Sequence, residues 1–273
     1  MRRALAVMGG LLGVLIVVIA PGLAQPPPSV SQIVQKMKDA LEPARASTRT
    51  LSITVSDMGD TQKFIARQAR KQMPDGKRMV TVMMEPEDVR GMAFLVSEPK
   101  DPTKPTVMWT YVPFIRRVKK ILAIDGFQHF LGTDFTYADL GFVRVHKNYK
   151  LLGSEQHGGT LAYKVDEKLP PPQYYYSHII LWVGQSSMLP LQRDYYDPSG
   201  KVAWKREVFD SVSTIDGVPT IMHAKMTDLI ENTSTDLSVT QIKYDSEVPD
   251  ALVDPTHMPK LADDPAWQAG ATQ

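Results

Sequence analysis

The first regular pattern of the chain is a single apolar stripe at helical spacing. Five apolar residues recur at positions i, i+3, i+4, i+7 and i+11, namely Val30, Ile33, Val34, Met37 and Leu41. This spacing places them on one face of an amphipathic helix. Ser29 and Gln32 have the spacing of a capping box, which predicts where the helix begins. Pro43 is expected to end it.

Beyond residue 50 the period changes from that of a helix to that of a strand. Leu51, Ile53 and Val55 alternate with polar residues, which is typical of a strand with one buried face. Further short strands follow as far as about residue 245, separated by turn sequences such as Asp75-Gly76. We therefore predict a mainly β fold. It is an incomplete, half-open antiparallel barrel of about eleven or twelve strands, with the N-terminal helix packed against it.

Two of the predicted strands are apolar on both faces. Val82, Met83 and Met84 are consecutive in one strand, and residues 179–182 are consecutive apolar residues in another. A sheet face that is open to water should instead carry polar residues at alternate positions. Both faces of these strands must therefore be covered, one by the helix and the other by more sheet or by a ligand.

The first 24 residues have the layout of a secretory signal. Arg2 and Arg3 precede an apolar run over residues 11–20, and Gly22 and Ala24 place small residues at the −3 and −1 positions of a cleavage site. The apolar stretch is short for a bilayer span, which needs about 20 residues. We expect export to the periplasm and cleavage after Ala24; an uncleaved anchor helix is the alternative.

The remaining chain shows neither an internal repeat nor a linker. Residues 25–262 are therefore predicted to form a single β-barrel domain. Residues 263–273 are expected to be a flexible tail, because chain ends fray unless they are tied to the core.

Composition excludes several kinds of protein. The chain has no cysteine, which rules out disulfides, thiolate metal sites and a lipid anchor on a cysteine after the signal. Loss of Arg2 and Arg3 with the signal turns the net charge of +1 into −1, so nucleic acid is not an expected partner. The basic run 116–120 is either a solvated edge strand or a contact surface for an anionic partner.

No catalytic motif is present. The six histidines lack the spacing of HExxH, and neither G-x-S-x-G nor a Gly-rich phosphate loop occurs. Asp125, Asp134 and Asp139 are close in sequence but lack the alternating ligand spacing of a calcium loop. We therefore expect no enzyme, no metal site and no cofactor, while an enzyme whose site is dispersed along the chain stays a further possibility.

Soft apolar side chains are frequent instead. Twelve of the fourteen methionines follow residue 24. Methionine adapts its shape and recurs on surfaces that bind irregular apolar partners, although it also fills ordinary cores. The candidates for lining an apolar, lipid-binding cavity lie on the strands near residues 80–112 and 180: Met83, Met84, Met108, Trp109, Tyr111 and Trp182.

A glycine-flanked loop between Gly126 and Gly141 carries four aromatic residues, Phe127, Phe130, Phe135 and Tyr137. Aromatic side chains of a loop must find somewhere to be buried. They either plug the mouth of the barrel or act as a movable lid over a cavity. Asp134 and Asp139 are predicted to cap a short helix within this segment.

Residues 109–140 resemble the signature of the LolA-like, outer-membrane lipoprotein-sorting family. Trp109 and Tyr111 match its first strand, and a proline turn and a basic strand follow. Residues 132–140 match its Gly-Ser-Asp-Phe segment, with Thr133 where the signature usually has serine. Over the rest of the chain the resemblance rests on the pattern of strands.

The resemblance implies a fold and a function. The fold would be a half-open barrel with an apolar cavity between sheet and helix. The function would be that of a periplasmic carrier for lipid or lipoprotein acyl chains, acting in lipoprotein sorting or with a lipid exporter. Its partner would then be an inner-membrane transporter of the resistance-nodulation-division type. The alternative that it leaves open is a periplasmic sensor or regulatory lipid-binding domain of the RseB type.

Overall fold

The computed structural model describes residues 27–122, 124–142, 148–169 and 175–267. Within these residues one α-helix, α1 (Val30–Leu41), precedes thirteen strands. The strands are β1 (Ser47–Asp57), β2 (Asp60–Met73), β3 (Gly76–Glu85), β4 (Ala93–Pro99), β5 (Val107–Val112), β6 (Arg117–Ile121), β7 (Tyr149–His157), β8 (Thr160–Lys168), β9 (His178–Gly184), β10 (Pro190–Tyr196), β11 (Ala203–Ile215), β12 (Val218–Asp228) and β13 (Ser234–Tyr244).

The described strands form one antiparallel sheet in the order β6-β5-β4-β3-β2-β1-β13-β12-β11-β10-β9-β8-β7. Neighbours in sequence are neighbours in the sheet, except that β6 and β7 form its two edges and β1 pairs with β13. No ladder among the described residues joins the edge strands β6 and β7, so the barrel is half open. This confirms the predicted architecture, with one or two strands more than expected.

The N-terminal helix begins and ends as its sequence predicts. Ser29 Oγ accepts a hydrogen bond from Gln32 N, and Gln32 Oε1 accepts one from Ser29 N, which together complete the capping box. Its apolar stripe packs on one face of β7, β8 and β9, against side chains that include Val165 and Leu181. We call this the inner face of the sheet. No helix in the described ranges is long and apolar enough to cross a bilayer.

The segment between β6 and β7 covers the same inner face at the other end of the sheet. Phe130 and Phe142 of this segment pack with apolar residues of β1 to β5 that include Met83 and Met108. We call residues 124–142 the signature loop. The inner face therefore has two covers, the helix over β7–β9 and the signature loop over β1–β5.

The outer face of β2–β5 is covered by the C-terminal segment. Three short 3-10 helices follow β13, at Asp250–Val253, Pro255–Asp263 and Pro265–Trp267. Their apolar side chains pack with Val80, Val82, Leu95 and Tyr111. The two-sided apolar pattern of β3 is thus explained by the signature loop on its inner face and the C-terminal segment on its outer face, and not by another sheet.

The last turn of this segment lies within residues 263–273, where a flexible tail was expected. Trp267 is 5% exposed, and its ring packs in the outer cluster. Its Nε1 donates a hydrogen bond of 2.7 Å to the carbonyl oxygen of Leu261. Residues 263–267 are therefore part of the packed structure.

Replacing Trp267 by alanine should lower the free energy of unfolding by about 3–5 kcal/mol, the usual cost of removing a large buried ring. Urea unfolding followed by circular dichroism measures this change. Met58→Ala is the control, because Met58 is 94% exposed at the turn between β1 and β2, and it should change stability by less than about 0.5 kcal/mol. If both variants behave alike, the C-terminal covering does not stabilise the sheet.

Candidate ligand-binding cavity

An open cavity lies on the inner face where the two covers stop short of each other. Its volume is about 180 Å³. The C-terminal end of α1, the signature loop and the inner faces of β1, β2 and β10–β13 surround it. Most of its wall is apolar, with side chains that include Leu51, Ile53, Phe130, Phe135, Leu140, Leu189, Phe209, Ile221, Leu237 and Val239.

One part of the wall is charged. Arg49, Arg70, Arg193 and Glu207 all line the cavity. Arg193 Nη1 lies 3.3 Å from Glu207 Oε2, which also accepts a 2.7 Å hydrogen bond from the hydroxyl of Tyr195. Burial alone would lower the pKa of Arg193, but the carboxylate of Glu207 outweighs it and the pKa is raised. This pair is satisfied within the protein.

The signature loop is packed by its own aromatic residues. The rings of Phe130 and Tyr137 meet edge to face at 5.5 Å, and both lie against Phe94 of β4. Phe127 stacks on Tyr175 with ring centroids 5.7 Å apart. Three of the four predicted lid residues, Phe127, Phe130 and Tyr137, thus make ring contacts that pack the loop in place, while Phe135 lies in the cavity wall with Phe130.

Asp134 ties the loop to the sheet. Its carboxylate accepts hydrogen bonds from the hydroxyls of Thr233 and Thr235 at 2.5 and 2.6 Å, and its amide donates to Thr235 Oγ1 at 2.9 Å. Its carbonyl oxygen accepts a 2.7 Å bond from Lys205 Nζ. The predicted capping role of Asp134 is therefore wrong, because its side chain points to β13 and holds the loop against the strand.

Asp139 does cap a turn of the loop. Its Oδ2 accepts a 2.8 Å hydrogen bond from the amide of Thr136, and its own amide donates to Thr136 Oγ1 at 3.1 Å. The hydroxyl of Tyr176 also donates to Asp139 Oδ2. Burial raises the pKa of Asp139, against the hydrogen bonds of Thr136 that lower it. The closed loop therefore holds this proton more tightly than a solvated loop would, so acidification favours closure.

The predicted cavity residues separate onto the two faces of the sheet. Met83 and Met108 lie on the inner face beneath the signature loop. Met84, Trp109 and Tyr111 lie on the outer face under the C-terminal segment. Alternation along a strand sends neighbouring residues to opposite faces, so these adjacent residues could not share one cavity.

Trp182 also lies away from the cavity, on the outer face of β9. It packs with Ala162 and Ile180, stacks on His157 at 4.8 Å and donates a 2.6 Å hydrogen bond to Glu155. None of the six predicted cavity residues lines the cavity in this structure. Met83 and Met108 would join the wall only when the signature loop is lifted.

The charged wall was not predicted from the sequence, although one signal for it exists. Arg49, Leu51 and Ile53 share the inner face of β1, as do Gln68 and Arg70 on β2. A charged residue in phase with buried apolar residues marks a strand position whose environment is unusual. Recognising the site also requires that β10–β13 face these residues, and only the closed sheet order shows this.

Comparison with known proteins identifies one matching family model and several solved structures that share the fold. The model of a protein family described as "uncharacterized protein" matches residues 75–260. No curated protein matches the chain. Among the described residues, no group of three or more His, Asp or Glu side chains is placed to hold a metal ion.

Three solved structures share the fold. A domain from Vibrio parahaemolyticus, named as an outer membrane lipoprotein-sorting protein, has a TM-score of 0.77 and 21% identity, covering 84% of this chain and 97% of its own. A DUF1329 family protein from Desulfovibrio piger gives the same four values. A LolA superfamily protein from Nitrosomonas europaea has a TM-score of 0.66 and 17% identity, covering 84% of this chain and 98% of its own.

Replacing Asp134 by alanine should loosen the signature loop without unfolding the sheet. Hydrogen bonds to a charged group contribute about 1.5–3 kcal/mol each, and the variant loses two. Hydrogen exchange across residues 125–141 should therefore become at least about tenfold faster, while exchange in β1 and β13 is unchanged. Asp125→Ala is the control within the same loop, since Asp125 is only partly buried and its carboxylate accepts no more than a 3.4 Å hydrogen bond from Gln128 Nε2 among the side-chain bonds of the described residues. Equal exchange in both variants would mean that Asp134 does not hold the loop.

Proposed function

The chain belongs to the family matched over residues 75–260 and has the LolA-like fold of outer membrane lipoprotein-sorting proteins, and on this premise we propose that it is a periplasmic carrier. Its cargo is the acyl chain of a lipid or lipoprotein, which it shields from water in the inner cavity. The task is binding and release, without covalent chemistry.

The observation that carries this proposal is a cavity with a largely apolar wall, one side of which is formed by the signature loop instead of the strands. Apolar surface removed from water stabilises a complex by about 25 cal/mol per Å², so a wall of this composition supplies affinity for a hydrocarbon chain. The loop is held by the hydrogen bonds of Asp134 and by ring contacts. Such contacts can be exchanged without disrupting the sheet ladders.

The size of the cavity implies that the loop moves when cargo binds. Its volume of about 180 Å³ is below the roughly 300–1,000 Å³ of pockets that hold ligands of drug size. Lifting the signature loop would add the inner surface of β3–β5, including Met79, Met83 and Met108, to the cavity wall. Methionine side chains adapt to irregular apolar ligands, so this surface suits a carrier better than a rigid pocket would.

Location and partners follow from the same proposal. Residues 1–24 carry the pattern of an export signal, which would deliver the carrier to the periplasm. There it would receive cargo from an inner-membrane transporter, for which a transporter of the resistance-nodulation-division type is our candidate. Residues 1–26 lie outside the described structure, so the cleavage site after Ala24 stays a prediction from sequence.

Filling the cavity should abolish cargo binding while the fold remains intact. Ala224 lies in the cavity wall and is buried, so Ala224→Phe places a ring in the space that an acyl chain needs. We expect the affinity for a fluorescent fatty acid to fall at least about tenfold, since a ring displaces several methylenes worth about 0.8 kcal/mol each. Fluorescence titration measures it, with circular dichroism as the check on folding.

Val208→Phe is the matched control for this experiment. Val208 precedes the cavity residue Phe209 on β11 and is partly exposed on the opposite face. This variant should bind the probe as the native chain does. If Ala224→Phe also binds normally, the acyl chain does not occupy this cavity.

A further inference from the structure

The two arginines of the cavity wall occupy one corner of the inner face. Arg49 on β1 lies opposite Gln68 on β2, and Arg70 on β2 lies opposite Ser47 on β1. Diagonal positions of this kind on one face of a sheet are about 7–8 Å apart, within the reach of long side chains. The two guanidinium groups therefore share one end of the cavity.

Neither arginine forms an ion pair with a carboxylate among the described residues. Arg49 Nε is buried without a hydrogen-bond partner. Arg49 Nη2 lies 3.5 Å from Ser47 Oγ, and the side chain of Tyr244 also interacts with the guanidinium group. The partners of Arg70 are neutral: its Nη1 donates to the carbonyl oxygen of Leu41 at 3.1 Å, and its Nε lies 3.2 Å from Met79 Sδ.

The acidic groups around this corner are engaged elsewhere. Glu42 pairs with Lys77 and with Lys38. Glu207 pairs with Arg193. Asp139 accepts the hydrogen bonds of the signature loop described above. The carboxylate of Glu42 raises the pKa of Arg70 but forms its ion pairs with the two lysines. Among the described residues, the corner therefore carries two cationic side chains without an ion-pair partner of their own.

Such an arrangement costs stability. Burial lowers the pKa of both side chains, and burial together with the charge of Arg70 brings the pKa of Arg49 to about 9. A buried charge without an opposite charge is costly in a folded protein, and costs of this kind concentrate at functional sites. A bound anion would remove the cost.

We propose that Arg49 and Arg70 form an anion subsite, so that the cargo of the cavity is an anionic amphiphile, with a carboxylate or phosphate group joined to an acyl chain. The guanidinium fork matches the oxygens of both groups. Leu51 and Ile53 continue along the same face of β1, where the acyl chain would lie. This inference rests on the proposed carrier function and adds the charge and orientation of the cargo.

The test compares a fluorescent polyene fatty acid, cis-parinaric acid, with its methyl ester. The native chain should bind the acid at least about tenfold more tightly, since a charge-assisted hydrogen bond contributes about 1.5–3 kcal/mol. Arg49→Met and Arg70→Met should each reduce this preference for the acid while leaving the affinity for the ester unchanged. Arg67→Met is the matched control, because Arg67 lies on the same strand between two inner-face residues and so faces outwards.

The possible outcomes separate the subsite from the carrier. Equal binding of acid and ester by the native chain overturns the subsite and leaves the carrier intact, whereas binding of neither overturns both. Inorganic phosphate should displace the acid far less well than hexadecyl phosphate does. Equal displacement would mean that the site recognises a free anion, and would overturn the proposal that the cargo is an amphiphile. Unliganded Arg49→Met should melt at the same temperature as the native chain or higher. A lower melting temperature with the acid preference retained would show a structural arginine.

A second surface carries an independent inference. The turn between β5 and β6 projects Phe114, which is 94% exposed, beside the exposed Ile115. Leu122 and Ile124, which follow β6, are exposed as well. Four cationic residues and no acidic residue lie between Pro113 and Ile124 along this edge of the sheet: Arg116, Arg117, Lys119 and Lys120.

We also infer that this surface docks on an anionic lipid bilayer. An apolar tip next to a run of cations can enter the interface while the cations contact anionic head groups. A projecting tip on an edge strand fits a flat, deformable surface, and the absence of acidic residues fits an anionic one. Such docking would bring the carrier to the membrane from which it loads cargo.

Co-sedimentation with vesicles tests this inference. The mature chain, from residue 25, should bind vesicles of phosphatidylglycerol and phosphatidylcholine, and should bind pure phosphatidylcholine vesicles at least about fivefold less. Phe114→Ser and Lys119→Glu should each reduce binding to the anionic vesicles. Met58→Ser is the matched control, since Met58 is equally exposed at a different turn. Binding that ignores lipid charge, or that Met58→Ser reduces as much as Phe114→Ser does, would overturn the inference and leave a protein as the partner of this edge.

Discussion

The structure depends on one constraint: strands β3 and β4 are apolar on both faces, so both faces must be kept from water. The ladders supply neither cover, because the sheet is open at β6 and β7. Segments outside the strands supply both covers. The signature loop and α1 cover the inner face, and the C-terminal 3-10 helices cover the outer face. The cavity is the place where the two inner covers fail to meet.

The two covers differ in how they are fastened, and the difference suits a carrier. The C-terminal segment ends in a buried tryptophan, and its contacts are those of an ordinary core. The signature loop also buries aromatic rings, but it is tied to the strands by the hydrogen bonds of Thr233 and Thr235 to Asp134 and by the ammonium of Lys205. Hydrogen bonds can be exchanged for water or cargo at small net cost. Under the proposed carrier function, opening would be confined to the inner face, while the C-terminal segment stays packed on the outer face.

Charge on the inner face opposes stability and favours selectivity. An all-apolar wall would hold a hydrocarbon chain equally well and would not leave Arg49 Nε without a partner. The paired Arg193 and Glu207 show that the fold can satisfy a buried charge in the same cavity when it carries both partners. Two unpaired arginines beside that pair therefore distinguish one end of the cavity from the other. A ligand with a polar and an apolar end would be held in a single orientation.

Local sequence patterns are sufficient to predict the elements and the half-open barrel. The apolar stripe and capping box predict α1, and alternation with turn residues predicts the strands and their meander. Which face of the sheet is inner follows from the tertiary structure alone, because alternation separates neighbours without saying which side carries the cavity. Met84, Trp109 and Tyr111 were therefore assigned to a cavity that they do not reach, and Asp134 to a cap. Arg49 and Arg193 meet at one cavity because β1 and β10 approach across the curved sheet, which no local pattern encodes.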